Sequence, residues 1–124
     1  MRLRTLFTAF LFAAVFTATV VAHHSINAEF DSNKQVSLAG TITNVDWMNP
    51  HTYVFVDVKD PSLGKTRSWA CELASPADLA RRGFTRESLK VGMVVRVAGS
   101  RAKDGSFKIH TETLAAENGV SLTK

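Results

Sequence analysis

Two histidines, His23 and His24, follow directly on Val20-Val21-Ala22, and cleavage after Ala22 would leave His23 as a terminal residue with a free amine. The amine and Nδ1 of such a histidine close a six-membered chelate on one metal ion. A further imidazole completes an N₃ set that suits Cu(II). His24, second after the cut, offers a competing mode through the amine, the intervening amide nitrogen and its own ring. His51 is the expected distant ligand, because it follows Pro50 and opens a strand, a rigid place from which to hold a metal. The plain alternative is a terminus that binds nothing and a His51 that caps its strand by hydrogen bonding. Asp46, across the bend from Trp47 to Pro50, is a candidate to orient the His51 ring. His110 alternates with Lys108 and Glu112 against Phe107 and Ile109, which assigns it to a solvated face.

A second chemistry needs no metal. Tyr53 and Phe55 point away from the Val54/Val56 face, and together with Trp69 on the following strand they could bind a small polar ligand, a glycan or a partner protein. The structural alternative is that these rings cover the helix or the N-terminal arm. Cys71 shares its parity with Trp69 and Leu73, so a small core residue is expected rather than a soft ligand. Catalytic motifs are missing: there is no Gly-x-Ser-x-Gly elbow, His-Glu-x-x-His helix or phosphate loop. The carboxylates Glu29, Asp31, Asp46, Asp57 and Glu72 are scattered, and most are expected at the solvated surface. No residue is assigned a catalytic role, and a binding protein is expected rather than an enzyme.

The elements that must position these residues begin with a leader. Arg2 and Arg4 precede an uncharged stretch from Leu6 to Val21, and Val20 and Ala22 are small enough for signal peptidase, so residues 1–22 read as a cleaved signal peptide. An uncleaved anchor is the alternative, since about 18 apolar residues can span a bilayer. Export to the periplasm is expected, with the membrane met only through the signal peptide. The rest, roughly 100 residues, suffices for one core and one domain. The formal charge of +4 falls to +2 without Arg2 and Arg4. That mild, interspersed basicity withholds the electrostatic term that dominates nucleic-acid affinity, and no nucleic-acid partner is expected. One cysteine rules out an internal disulfide.

Periodicity divides the remainder into an arm at 23–34, a domain at 35–116 and a flexible tail at 117–124. Gln35 to Trp47 reads as a long strand with a bulge near Thr43-Asn44, and His51 to Val58 as a second with Thr52, Val54, Val56 and Val58 on one face. Lys65 to Leu73 is the third. Ser75-Pro76-Ala77-Asp78 starts a helix with a capping serine, a proline suited to the first turn and an aspartate that can return the bond; Gly83 ends it. Alternation from Met93 predicts a fourth strand, the Asp104-Gly105 pair a hairpin, and Phe107 to Leu114 a fifth strand. Five strands with one short helix between the third and fourth is the element order of an all-β, five-stranded OB-like barrel.

The segments His23-His24-Ser25, Trp47-Met48-Asn49-Pro50-His51, Ser75-Pro76, Arg81-Arg82-Gly83-Phe84-Thr85 and Arg101-Ala102-Lys103-Asp104-Gly105-Ser106 together resemble an exported bacterial family, domain of unknown function 6152. The resemblance covers nearly the whole chain after the leader. It implies a small periplasmic protein and brings no reaction with it.

Overall fold

The computed structural model describes residues 26–123. The expected signal peptide, His23 and His24 lie outside the described residues. Residues 26–29 are helical and lead into β1 (Phe30–Asp46), which is followed by β2 (Tyr53–Asp60), β3 (Lys65–Glu72), helix α1 (Pro76–Arg81), β4 (Val94–Ala102), β5 (Lys108–Ala116) and β6 (Ser121–Thr123). No helix among the described residues is long and apolar enough to cross a membrane.

The strands form one sheet in the order β3-β2-β1-β4-β5-β6, and β3 also pairs with β5. The five-stranded OB-like barrel is therefore corrected to a six-stranded sheet. The extra strand comes from the stretch after Glu117 that the sequence left as a tail. Gly119, at φ 85°, turns the chain, and Ala116 N–H donates to the Val120 carbonyl at 2.9 Å. Leu122 then sits opposite Leu114 and is buried. One apolar side chain in a three-residue strand is too short a signal for an alternating pattern to register.

All other pairings but one are antiparallel. β1 is long enough to serve two partners, β4 along Phe30–Thr41 and β2 along Thr41–Asp46. Its register slips between Ile42 and Asn44, where the sequence phase slips, so that Ile42 enters the core and Val45 can continue the same face. Thr52, just before β2, and Val54 and Val56 within it share one fully buried face. They meet Trp69, Cys71, Ile109, Leu114, Val95 and Val97 in one core, capped by Leu79, Phe84 and Leu89 from α1 and the turns after it.

α1 starts as its sequence requires. Asp78 N–H donates to Ser75 Oγ at 3.2 Å, and Ser75 Oγ–H donates in return to Asp78 Oδ2 at 2.8 Å. Only Leu79 of this six-residue helix is buried, so the helix is a plug whose placement depends on its cap.

β4 and β5 approach closely at Gly99, where a Cβ would collide with the backbone carbonyl of His110. Gly40 is in the same position against Asp57 O. Glycine is required at both for steric reasons, not for φ. Gly99→Ala should cost about 1–3 kcal/mol, and each kcal/mol should lower the melting temperature by roughly 4–8 °C. Thermal unfolding followed by circular dichroism measures this, and an unchanged melting curve would contradict the close approach.

Candidate functional site

The pairing between β3 and β5 is parallel and only three residues long: Ala70 opposite Lys108, Cys71 opposite Ile109, and Glu72 opposite His110. Strand alternation sends Cys71 and Ile109 into the core, where both are fully buried, and Glu72 and His110 to the other side. Tyr53 is the β2 partner of Glu72, so three side chains from three strands meet there. His51 arrives from the β1–β2 connection. It is tied in place because Leu73 N–H donates to the Thr52 carbonyl at 2.8 Å and Thr52 N–H to Ala74 O at 3.1 Å.

Glu72 is the hub. It is only 3% exposed. Tyr53 Oη–H donates to its Oε2 at 3.0 Å, and Lys108 Nζ lies 3.4 Å from the same oxygen. Its other oxygen, Oε1, faces two imidazoles, with His51 Nδ1 at 3.7 Å and His110 Nδ1 at 3.8 Å. These are ion-pair separations rather than hydrogen bonds. His51 Nδ1 has a closer acceptor in the Leu73 carbonyl at 3.3 Å, while His110 Nδ1 is buried with no hydrogen-bond partner among the described residues. Lys108 also pairs with Glu29 Oε1 at 2.5 Å. Its ammonium stands 5.4 Å from the Phe30 ring centre and 5.3 Å from that of Tyr53. Phe30, itself buried, packs on His110 with ring centres 5.6 Å apart.

Burial alone would raise the Glu72 pKa. The contacts from His110 and Tyr53, with the charges of His51 and Lys108, overcome it and hold the carboxyl at about 2. Lys108 also loses solvation, but Glu29, Tyr53 and Glu72 together push it up to about 12. For Tyr53, burial comes first and the Glu72 carboxylate adds to it, so the phenol is raised and stays protonated as a donor.

Beside this cluster opens a cleft of about 390 Å³. Ile26, Pro50, Leu73 and Leu122 form its apolar wall, and His51, His110, Thr111 and Arg82 its polar one. Thr111 is 7% exposed, and its Oγ1 has no hydrogen-bond partner among the described residues. Such a hydroxyl is a hydrogen-bonding group that its described surroundings leave unmatched.

Of the residues expected to act, the structure brings His51 to this cleft and Tyr53 to the carboxylate behind it. Phe55 lies on the Tyr53 face, half-buried, opposite Ala70. Trp69 is corrected: it stands opposite Val56 on the core face, buried against Phe107, and shares no surface with Tyr53 and Phe55. Cys71 is a core residue as expected, its thiol pushed up to about 12 by burial, and so it is no thiolate ligand. Asp46 does not orient His51; it accepts from Asn44 Nδ2 at 2.8 Å, and Glu72 takes the place beside the imidazole. Glu72 and His110 were expected on solvated surface. The signal for Glu72 was its place between Cys71 and Leu73 in an otherwise apolar run, where a carboxylate must find partners. Among the described residues no group of three or more His, Cys, Asp or Glu could hold a metal ion.

A model of a family of unknown function, DUF6152, matches residues 11–111, and the chain belongs to that family. No curated protein matches the sequence. Among solved structures, the mitochondrial single-stranded DNA binding protein Rim1 from S. cerevisiae is similar, with a TM-score of 0.53 and 12% identity over 71% of this chain and 94% of that one. At that identity the likeness is one of fold, a weak resemblance to an OB-fold protein.

The folded pKa of Glu72 lies below its ordinary 4.5. Its contribution is therefore complete above pH 4.5 and is lost as pH falls through that value toward 2. Glu72→Gln should cost roughly 3 kcal/mol at neutral pH and should flatten the loss of stability across that acid window. Urea unfolding at a series of pH values reads both, and an acid limb as steep as the parent's would remove Glu72 from the centre of the cluster.

Proposed function

We propose that this member of the DUF6152 family is a small, exported, non-catalytic binding domain whose ligand seats in the cleft between α1 and β5, against His51, His110, Thr111 and Arg82. The observation that carries it is the combination of an apolar wall with a buried Thr111 hydroxyl that has no partner among the described residues. Ligand sites are commonly of this kind, a mostly apolar concavity with a few fixed polar groups. A small polar ligand with one apolar side fits both walls, the hydroxyl and imidazoles setting its orientation.

The cleft is favoured over the outward faces of β2 and β3. Tyr53 spends its hydroxyl on Glu72, Phe55 is half-buried, and Trp69 faces inward. No continuous stacking platform remains for a sugar or a base.

A thermal-shift panel of small carboxylic acids, amino acids and monosaccharides tests the location. At least one member should raise the melting temperature of the parent, and Thr111→Val or Arg82→Ala should abolish that shift while Phe55→Ala preserves it. A shift that survives both cleft substitutions and disappears in Phe55→Ala would move the site to the strand face.

A further inference from the structure

The charged residues around the cleft are not equally free to receive a ligand. Asp78 is occupied by its neighbours: Arg81 pairs with its Oδ1, and Ser75 Oγ–H donates to its Oδ2 at 2.8 Å. Glu72, behind His51 and His110, has its charge matched by Lys108. Two charged side chains of the cleft wall remain, one of each sign. Arg82 and Glu112 both line it, and neither enters an ion pair among the described residues. Arg82 is the exposed C-cap of α1. Glu112 is half-buried and held by a relay that starts on β1. Gln35 Nε2 donates to Ser100 Oγ at 3.1 Å, and Ser100 Oγ–H donates to Glu112 Oε1 at 3.1 Å. The relay engages Oε1 and not Oε2.

We propose that the ligand of this cleft is a free aliphatic amino acid in its zwitterionic form, its carboxylate on Arg82, its ammonium on Glu112 and its side chain against Leu73 and Leu122. The proposal rests on the cleft being the binding site and names the class of molecule that the site takes.

A guanidinium presents two parallel N–H groups to a carboxylate, and a carboxylate accepts strongly from an ammonium. A ligand that carries one charge matches one of the two residues and leaves the other facing it unmatched. The pair therefore discriminates by charge pattern as well as by shape. Ile26, Pro50, Leu73 and Leu122 offer no side-chain hydrogen bond, which favours an aliphatic side chain over a polar one. Thr111, 7% exposed and unmatched among the described residues, has a hydroxyl to add to the recognition. The volume, about 390 Å³, is near the small end of the range for ligand pockets, roughly 300–1,000 Å³. A single amino acid suits that size. A longer peptide fits it less well and also separates its terminal charges, so that it cannot satisfy Arg82 and Glu112 together.

Leucine is titrated into the full chain by calorimetry at neutral pH, beside two analogues that each lack one of its charges, 4-methylpentanoate and leucinamide. Leucine should bind, and each analogue should bind about tenfold more weakly or worse. Glu112→Gln should bring leucine down to the affinity of 4-methylpentanoate without weakening 4-methylpentanoate itself. Arg82→Gln should bring leucine down to the affinity of leucinamide and leave leucinamide as it was. A variant that had merely lost its fold would lose all three ligands alike, and melting curves establish that each is folded at the titration temperature. Failure of leucine to bind, or a preference for leucine over both analogues that survives both substitutions, would overturn the proposal. In either case the cleft stands if Thr111→Val still abolishes the thermal shift of another small acid or a monosaccharide. It falls as well if no ligand's shift depends on Thr111.

Discussion

Three residue pairs between β3 and β5 decide what this domain can do. Cys71 against Ile109 belongs to the core; Ala70 against Lys108 and Glu72 against His110 belong to the other side. Core and site are therefore fixed by one register. A slip of one residue would turn Glu72 into the apolar interior and expose Cys71, so the cost of mispairing is a buried, unpartnered charge. The pairing is parallel and short, and it joins segments separated by α1 and β4. It depends on elements that hold it from outside: Ala70 N–H donates to the Phe107 carbonyl at 2.9 Å just before it, and α1 plugs the core with Leu79 nearby. The close contact at Gly99 brings the His110 backbone in from the opposite edge.

Placing a carboxylate where it is 3% exposed is unfavourable until its lone pairs and charge are matched. Glu72 is matched by a phenol, an ammonium and two imidazoles, and the ammonium is in turn shared with Glu29. Phe30 covers the assembly, which lowers the local dielectric and strengthens each of these interactions. Such a network contributes less to net stability than its number of contacts suggests, because desolvation opposes it. What it supplies is definition: each ring has one orientation in which the carboxylate is satisfied. A binding site gains from that, since a ligand need not also order the residues that receive it.

The sequence was most legible where one element's own pattern decided the outcome. The β1 bulge, the buried face of Thr52, Val54 and Val56, the Ser75 cap and the turn at Gly83 all follow from local spacing and residue chemistry. It was least legible where the outcome depended on which strands meet. His110 shares parity with Lys108 and Glu112, which reads as a wet face; it is covered because Phe30, some 80 residues earlier, packs on it. Glu72 looked like one more scattered acid until its partners arrived from β2, β5 and the β1–β2 connection. Trp69 was placed with Tyr53 because both are aromatic residues on neighbouring strands, yet registration opposite Val56 puts it on the inner face. Strand count failed for a similar reason, since β6 becomes a strand by pairing with β5 and not by any pattern of its own.

The histidines join these two scales. His51 was singled out for its rigid position after Pro50, and it does reach a cleft; what the sequence could not supply was the second imidazole and the carboxylate shared between them. That sharing constrains chemistry. Both Nδ1 atoms lie within 3.8 Å of the same Glu72 oxygen, so one carboxylate faces two rings that come from distant parts of the chain. The same carboxylate is held near pKa 2 by several neighbours at once, so it is a poor proton acceptor at neutral pH. Lys108 at about 12 is an equally poor donor, and the Cys71 thiol is out of reach. Glu72, Lys108 and Cys71 each keep one protonation state at neutral pH, and so they orient what they touch rather than exchange protons with it.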